Sequence, residues 1–332
     1  MPFLPVGGQA VIEGVMMRSP SKVAVAVRHA DGTLAFFERE FISVTRRSKA
    51  LALPVLRGAV SLFETMYLGI TALNFSADEV TRDEERAKAA AATASAALGA
   101  PGAAGAAPAS SKGGMHGAAQ FLTVGFSLAL GILLFVVLPA RLAGWLGFHD
   151  RIGFGLVDGL FRLLAFILYL LLISQWKELA RVLGYHGAEH KAIHALENRA
   201  PLTPESVQSF PRLHPRCGTS FLFLVVVISI VVFTFIGRPH GVRDHLLRVS
   251  AMPLIAGVAF EFIRLMGRYA EQPLVRLLVW PGLQFQRLTT REPDLSMCVV
   301  AIAALEKVRS DEAVVALEAR DEVARPEVVF VQ

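Results

Sequence analysis

Long uncharged runs fill the second half of the chain and define its main elements. Gly117–Ala140 carries no charge and exceeds the roughly 20 apolar residues that a helix needs to cross a bilayer. Ile152–Trp176 and Cys217–Gly237 are apolar runs of similar length, and the latter is the cleanest of the set. Leu246–Met266 is the weakest, with Pro253 in mid-run and Glu261 near its end. Four transmembrane helices are therefore predicted. In the second, Asp158 and Arg162 stand four apart on one helical face, where pairing lowers the cost of insertion.

The first 86 residues have a different texture. "SKVAVAVRH" and "TLAFFEREF" flank Asp31-Gly32, a dipeptide suited to tight hairpins, and Val23, Val25 and Val27 alternate as a half-buried strand requires. Residues 48–75 follow an amphipathic helical pattern. Arg57 and Glu64 interrupt its apolar face, so an interfacial or core helix fits better than a span. Residues 87–116 are rich in Ala, Gly, Pro and Ser. That composition buries no core and reads as a flexible linker. After the spans, Asp294 suits a helix N-cap, and the apolar spacing from Leu295 to Val308 is helical. The expected organisation is a β-hairpin and amphipathic-helix unit (1–86), a linker (87–116), a four-helix transmembrane domain (117–268) with a long loop at 177–216, and a helical tail (269–332).

Composition supports a mainly α, polytopic membrane protein. Of 332 residues, 54% are hydrophobic and 18% charged, against roughly 45–50% and 25% in soluble chains. The net charge of +5 fits either nucleic acid or the cytoplasmic surface of a membrane. No basic stretch interleaved with aromatics marks a nucleic-acid groove, so the lipid bilayer is the expected partner and nucleic acid is not. Two cysteines give no disulfide framework and fit a reduced compartment. The N-terminus lacks a signal-peptide pattern. Between the second and third spans lie Lys177, Arg181, Lys191, Arg199, Arg212 and Arg216, whereas only Arg141 and Arg151 lie between the first and second. By the positive-inside bias, the 177–216 loop and both termini are expected in the cytoplasm, in an inner membrane.

That loop contains "GYHGAEHKAIHALE", Gly184–Glu197. On a helix, His186, His190 and His194 share one face, spread over about 80°. Two imidazoles one turn apart can grip one metal ion. His186, Glu189 and His190 match H-x-x-E-H, the inverted zincin pattern, in which the glutamate is a general base for water acidified by the metal. Zn²⁺ or another divalent transition metal is the expected cofactor. His214 and Cys217 in "LHPRCGTSF", and Glu261 at the end of the fourth span, are candidates to complete the ligand set. The topology predicts all of them at one membrane face. His194 reads as a ligand, a supporting group or a solvated one. Upstream, Gly7-Gly8-Gln9 matches a tripeptide of translation release factors, but no basic loop surrounds it, and the glycines fit a tight turn better. Glu13 is unusual among its apolar neighbours and calls for a partner or a place at the site.

"GGQAVIEGVMMRSP", "YHGAEHKAIHALE", "HPRCGTSFLF" and "LTTREPD", in this order, resemble the YqhQ-like family of bacterial membrane proteins. The resemblance implies a multi-pass inner-membrane protein described as a predicted metal-dependent enzyme, and it implies no substrate. By motif match it carries over His186, Glu189, His190, His214 and Cys217. Where the family pattern continues after "TTREPD" with acidic and polar residues, this chain has Leu295, Met297, Cys298 and Val299. Three functional readings follow. The first is a membrane-embedded metal-dependent hydrolase acting on a membrane-proximal peptide or a lipid-linked group. The second is a non-catalytic scaffold whose structural metal presents the termini to a cytoplasmic partner. The third is a transporter, which the scarcity of span-buried charge and the lack of an internal repeat disfavour.

Overall fold

The computed structural model describes residues 6–97, 115–148, 150–215, 217–269 and 272–309. Strands β1 (Gly7–Val11), β2 (Gly14–Arg18), β3 (Lys22–Arg28) and β4 (Leu34–Glu40) come first. Helices follow as α1 (Val44–Arg47), α2 (Leu56–Ala97), α3 (Met115–Ile132), a π-helical turn (Leu133–Val137), α4 (Leu138–Trp145), α5 (Arg151–Ile173) and α6 (Lys177–Glu197). The chain continues through α7 (Pro204–Gln208), α8 (Gly218–Ile236), α9 (Val242–Ser250), α10 (Met252–Arg268), α11 (Pro273–Thr289) and α12 (Leu295–Arg309). The protein is mainly α, with one small antiparallel sheet. Contacts divide it into two compact units. One contains the chain up to Val80, Leu170–Val225 and everything from Ala256, and the other contains Thr81–Tyr169 and Val226–Ile255.

In the first unit the sheet is a meander, β1-β2-β3-β4. The expected hairpin forms with Val25 opposite Phe37, and Gly32 takes a positive φ of 88°. The first two strands were not foreseen. The glycines read as a turn, Gly7 and Gly8, lie inside β1, and the turn falls instead at Ile12-Glu13, with Glu13 at φ 52°. The sheet is also covered on both faces rather than half-buried. Val11, Met16, Val23, Val25 and Val27 face Leu68 and Ala72 of α2. Val15, Met17, Ala24 and Ala26 face a core made by α6 and α12, including Tyr185, Ala188, Ala192, Val300, Ala301 and Leu305. Small residues on β3 and α6 let these layers approach closely. Asp294 caps α12 as expected, its Oδ1 accepting the Met297 N–H at 2.8 Å.

Helix α2 differs from its expected bounds. It continues through Ala97, eleven residues into the stretch read as linker. Alanine is the best helix former, and Arg86–Asp83 and Lys88–Glu84 pairs support the exposed end. The rest of the predicted linker, 98–114, and the charge-rich end of the tail, 310–332, lie outside the described residues. Helix α2 is not apolar enough to cross a membrane. Its Glu64 is buried and accepts the Val44 N–H at 2.7 Å.

Among the described residues, four helical stretches are long and apolar enough to cross a membrane: Leu122–Trp145, Arg151–Ile173, Gly218–Ile236 and Val242–Met266. They agree with the predicted spans to within a few residues. The fourth is two helices, broken at Ala251 just before Pro253, a residue that cannot donate to a preceding turn. This is a membrane protein.

The second unit contains a buried charge network. Asp158 accepts from Arg162 Nη2 at 3.1 and 3.3 Å, as the four-residue spacing predicts. Arg248, 90 residues away, donates to the same carboxylate at 3.0 Å and to the Gly237 carbonyl at 2.7 Å. Arg162 also donates to Ser229 Oγ at 3.0 Å and lies over the Phe233 ring. Asp158, Arg162 and Arg248 are 1%, 3% and 0% exposed, so each is compensated by the others rather than by water.

Candidate metal centre

Helix α6 carries the histidines, and its unusual burial explains how they are held. Twelve of its residues are buried, including Glu189, His190, Lys191 and Glu197. Gly187 lets the "TTREPD" segment lie against the helix. A Cβ there would come within 2.1 Å of the Arg291 carbonyl. Arg291 N–H donates to the Leu183 carbonyl at 2.8 Å and fixes that contact. On the other side, Lys191 donates to the Gln208 and Phe210 carbonyls, both at 2.7 Å. It thereby anchors the loop that leads to His214 and Cys217.

The i, i+4 pair behaves as the spacing predicts. The His186 and His190 rings lie 4.5 Å apart, centroid to centroid. Cys217, at the mouth of α8, brings Sγ to 3.2 Å from His186 Nε2. His186, His190 and Cys217 together offer three donor atoms within 4.8 Å of one another. The far side of each ring is already fixed. His186 Nδ1–H donates to the Thr289 carbonyl at 2.7 Å, and His190 Nδ1–H to the Arg212 carbonyl at 2.6 Å. A carbonyl can only accept, so both rings carry the proton on Nδ1 and turn the Nε2 lone pair inward. This is the supporting geometry that metal-binding histidines use. Burial pushes the His190 pKa down, which favours the neutral imidazole that a metal requires. Two imidazoles and a thiol form a donor set suited to Zn²⁺.

Glu189 is 4% exposed, and its Oε2 lies 3.8 Å from His186 Nε2 and 4.0 Å from His190 Nε2. Burial pushes its carboxyl above the ordinary carboxylate range, while His186, His214 and the Gly8 N–H oppose that shift. Gly8 is the link to the N-terminal motif. A Cβ there would meet Glu189 Cγ at 2.7 Å and the Met16 carbonyl at 2.7 Å. The Gly-Gly-Gln segment is therefore a strand packed over Glu189. The next residue, Gln9, packs against Gly69 of α2. Glu13 is answered by Arg181, which grips both carboxylate oxygens, and by the Tyr185 hydroxyl at 3.2 Å.

Two candidates are placed differently from the expectation. Glu261 does not join the donor group. Arg57 binds both of its oxygens, Nε at 2.6 Å to Oε1 and Nη2 to Oε2, and the Val55 N–H also points at it. The bidentate guanidinium engages both carboxylate oxygens, and Arg57 is on α2, 204 residues upstream. His214 is close to the first group but belongs to a second. Its ring is 5.7 Å from His190, yet its donor atoms cluster with His194 and Glu197. The sequence reads His194 as a ligand, a supporting group or a solvated one, and gives Glu197 no role beyond its place in the motif. Their spacing from His190, at i+4 and i+7, was the available signal.

The fold and the site define a class: a polytopic helical membrane protein with a four-stranded sheet packed over a buried histidine–cysteine cluster. The chain belongs to the family described as protein of unknown function (DUF1385), whose model matches residues 53–311. It is similar to the uncharacterized protein YqhQ of Bacillus subtilis (strain 168), at 29% identity over 325 residues covering 92% of this chain and 93% of that protein. No solved structure matches the chain.

Proposed function

We propose that the protein is a metal-dependent hydrolase at the cytoplasmic face of an inner membrane. The observation that carries this reading is the convergence of His186 Nε2, His190 Nε2 and Cys217 Sγ, with both Nδ1–H groups anchored and the Glu189 carboxylate alongside. Three protein donors leave a position open, as in catalytic rather than structural zinc sites. Zn²⁺ or a similar ion there would supply Lewis acidity and make water a nucleophile near neutral pH. Glu189 is the general base, packed against Gly8 of β1. The substrate class that suits the location is a membrane-proximal peptide or a lipid-linked group. The Lys and Arg residues between α5 and α8 favour a cytoplasmic site and cytoplasmic termini.

The test is metal analysis of the full-length protein purified in detergent. The metal bound by this group should be lost in His186→Ala. Chelation should lower the melting temperature, because an ion at 1,000 times its Kd contributes about 4 kcal/mol. Glu189→Gln should retain metal and fold while lowering turnover of membrane-proximal peptide or lipid-linked substrates by about 10²–10⁴-fold. A metal-free preparation whose melting is indifferent to chelator and to His186→Ala overturns the reading. The burial of Glu189, His190 and Cys217 favours one alternative, a structural metal in a scaffold that presents its termini to a cytoplasmic partner. X-ray absorption separates them, since four protein donors indicate the scaffold and a solvent-filled position indicates the enzyme.

A further inference from the structure

The two segments that build the first donor group build another one turn further on. Helix α6 contributes His194 and Glu197, and the loop before α8 contributes His214. One ligand atom from each lies within 4.8 Å of the others. His214 Nε2 is 3.3 Å from Glu197 Oε2, and the His194 and His214 rings are 4.6 Å apart. Along α6, His186, His190, His194 and Glu197 thus form one continuous row, spanning about 16 Å at 1.5 Å per residue. Opposite it, Cys217 faces the first pair and His214 the second.

His194 and His214 are held as ligands would be. His194 Nε2–H donates to the Leu213 carbonyl at 2.9 Å, which fixes the lone pair on Nδ1. The His214 backbone is clamped by Gln286, which is 0% exposed. Gln286 Oε1 accepts the His214 N–H at 2.8 Å, and Nε2 donates to the His214 carbonyl at 2.7 Å and to Ser220 Oγ at 2.8 Å. Such a clamp fixes the backbone from which the His214 ring projects.

We propose that His194, Glu197 and His214 bind a second divalent transition metal ion beside the His186–His190–Cys217 group. Two imidazoles with one carboxylate are a recurrent ligand set for Zn²⁺ and for non-haem Fe²⁺. The set is harder than one containing a thiolate, so the two sites differ in metal preference, and the second accepts Mn²⁺ or Fe²⁺ more readily. This site does not depend on the first being filled.

Co²⁺ titration of the chelator-stripped, full-length protein in detergent tests the proposal, with metal counted by mass spectrometry. Wild type should bind two equivalents. One should show a thiolate-to-cobalt band and the other only the weaker bands of nitrogen and oxygen ligation. Cys217→Ser should abolish the thiolate band and keep one equivalent. Glu197→Gln should keep the band and lose the other equivalent. His194→Gln, at a half-buried position, is the second variant in case Glu197→Gln does not fold. One equivalent in wild type, lost in Cys217→Ser and untouched in Glu197→Gln and His194→Gln, overturns the second site and leaves the hydrolase reading intact. One equivalent lost only in the Glu197 and His194 variants upholds the second site and removes the basis of the hydrolase reading. No bound metal overturns both.

Discussion

Replacing Asp158 by Asn should destabilise the protein by about 3–5 kcal/mol, seen as a large fall in melting temperature in detergent. The change keeps the shape of the side chain, removes its charge and turns one acceptor oxygen into an NH2 donor. Two guanidinium groups then remain, Arg162 and Arg248, both buried and both bonded to the lost carboxylate. Arginine cannot shed its proton to escape, so the penalty is not relieved by titration. Replacing Asp158, Arg162 and Arg248 together by apolar residues of similar size should cost far less than the single change, because no orphaned charge is left. The Arg57–Glu261 pair is a useful contrast. Its side chains are 27% and 23% exposed, so Arg57→Met should cost only about 1 kcal/mol. Equal melting of Asp158→Asn and wild type would show that the network does not carry this weight.

Gly187→Ala should be at least as damaging as a typical overpacked core, about 3 kcal/mol or more. The obstacle is the backbone carbonyl of Arg291, 2.1 Å from the new Cβ, and a backbone cannot rotate aside as a side chain can. Relief requires α6 and the Thr289–Pro293 segment to separate. That would break the Thr289 carbonyl's hold on His186, so a metal held by the proposed group would be lost along with stability. Gly218→Ala is the control. A Cβ there meets nothing within 4 Å, and the change should be neutral or stabilising by up to about 1 kcal/mol. If both variants melt together, the close approach at Gly187 is not limiting.

The pattern of residues made some of this legible and hid the rest for identifiable reasons. The spans follow from the length of the apolar runs despite a few charges within the second and fourth, and all four are present among the described residues. His186 and His190 followed from helical period, because a spacing of four fixes neighbours on one helix. Cys217 was harder, since nothing local ties it to His186, yet the order of spans brought it to the same end as the histidines. Glu261 pairs with Arg57 instead of joining the donor group, because topology gives the level of a residue along the membrane normal but not its partner. Arg248 was missed for the same reason, its link to Asp158 being a contact across 90 residues. The first two strands were hidden by composition. "GGQAV" has too few β-branched residues to announce a strand, and Gly8 serves close approach to Glu189 and the Met16 carbonyl rather than a turn. The far end of α2 was hidden in the opposite way. Alanine builds a helix without any core to bury, so a stretch that reads as linker by its lack of large side chains can still be helical through Ala97.

The carbonyls of Thr289 and Arg212 occupy the outer nitrogens of both imidazoles, and those carbonyls are themselves part of packed chain. The rings cannot swing outward by a rotamer change alone. An ion bound between them, as proposed, would meet imidazoles that are already ordered, so its capture would cost little side-chain entropy.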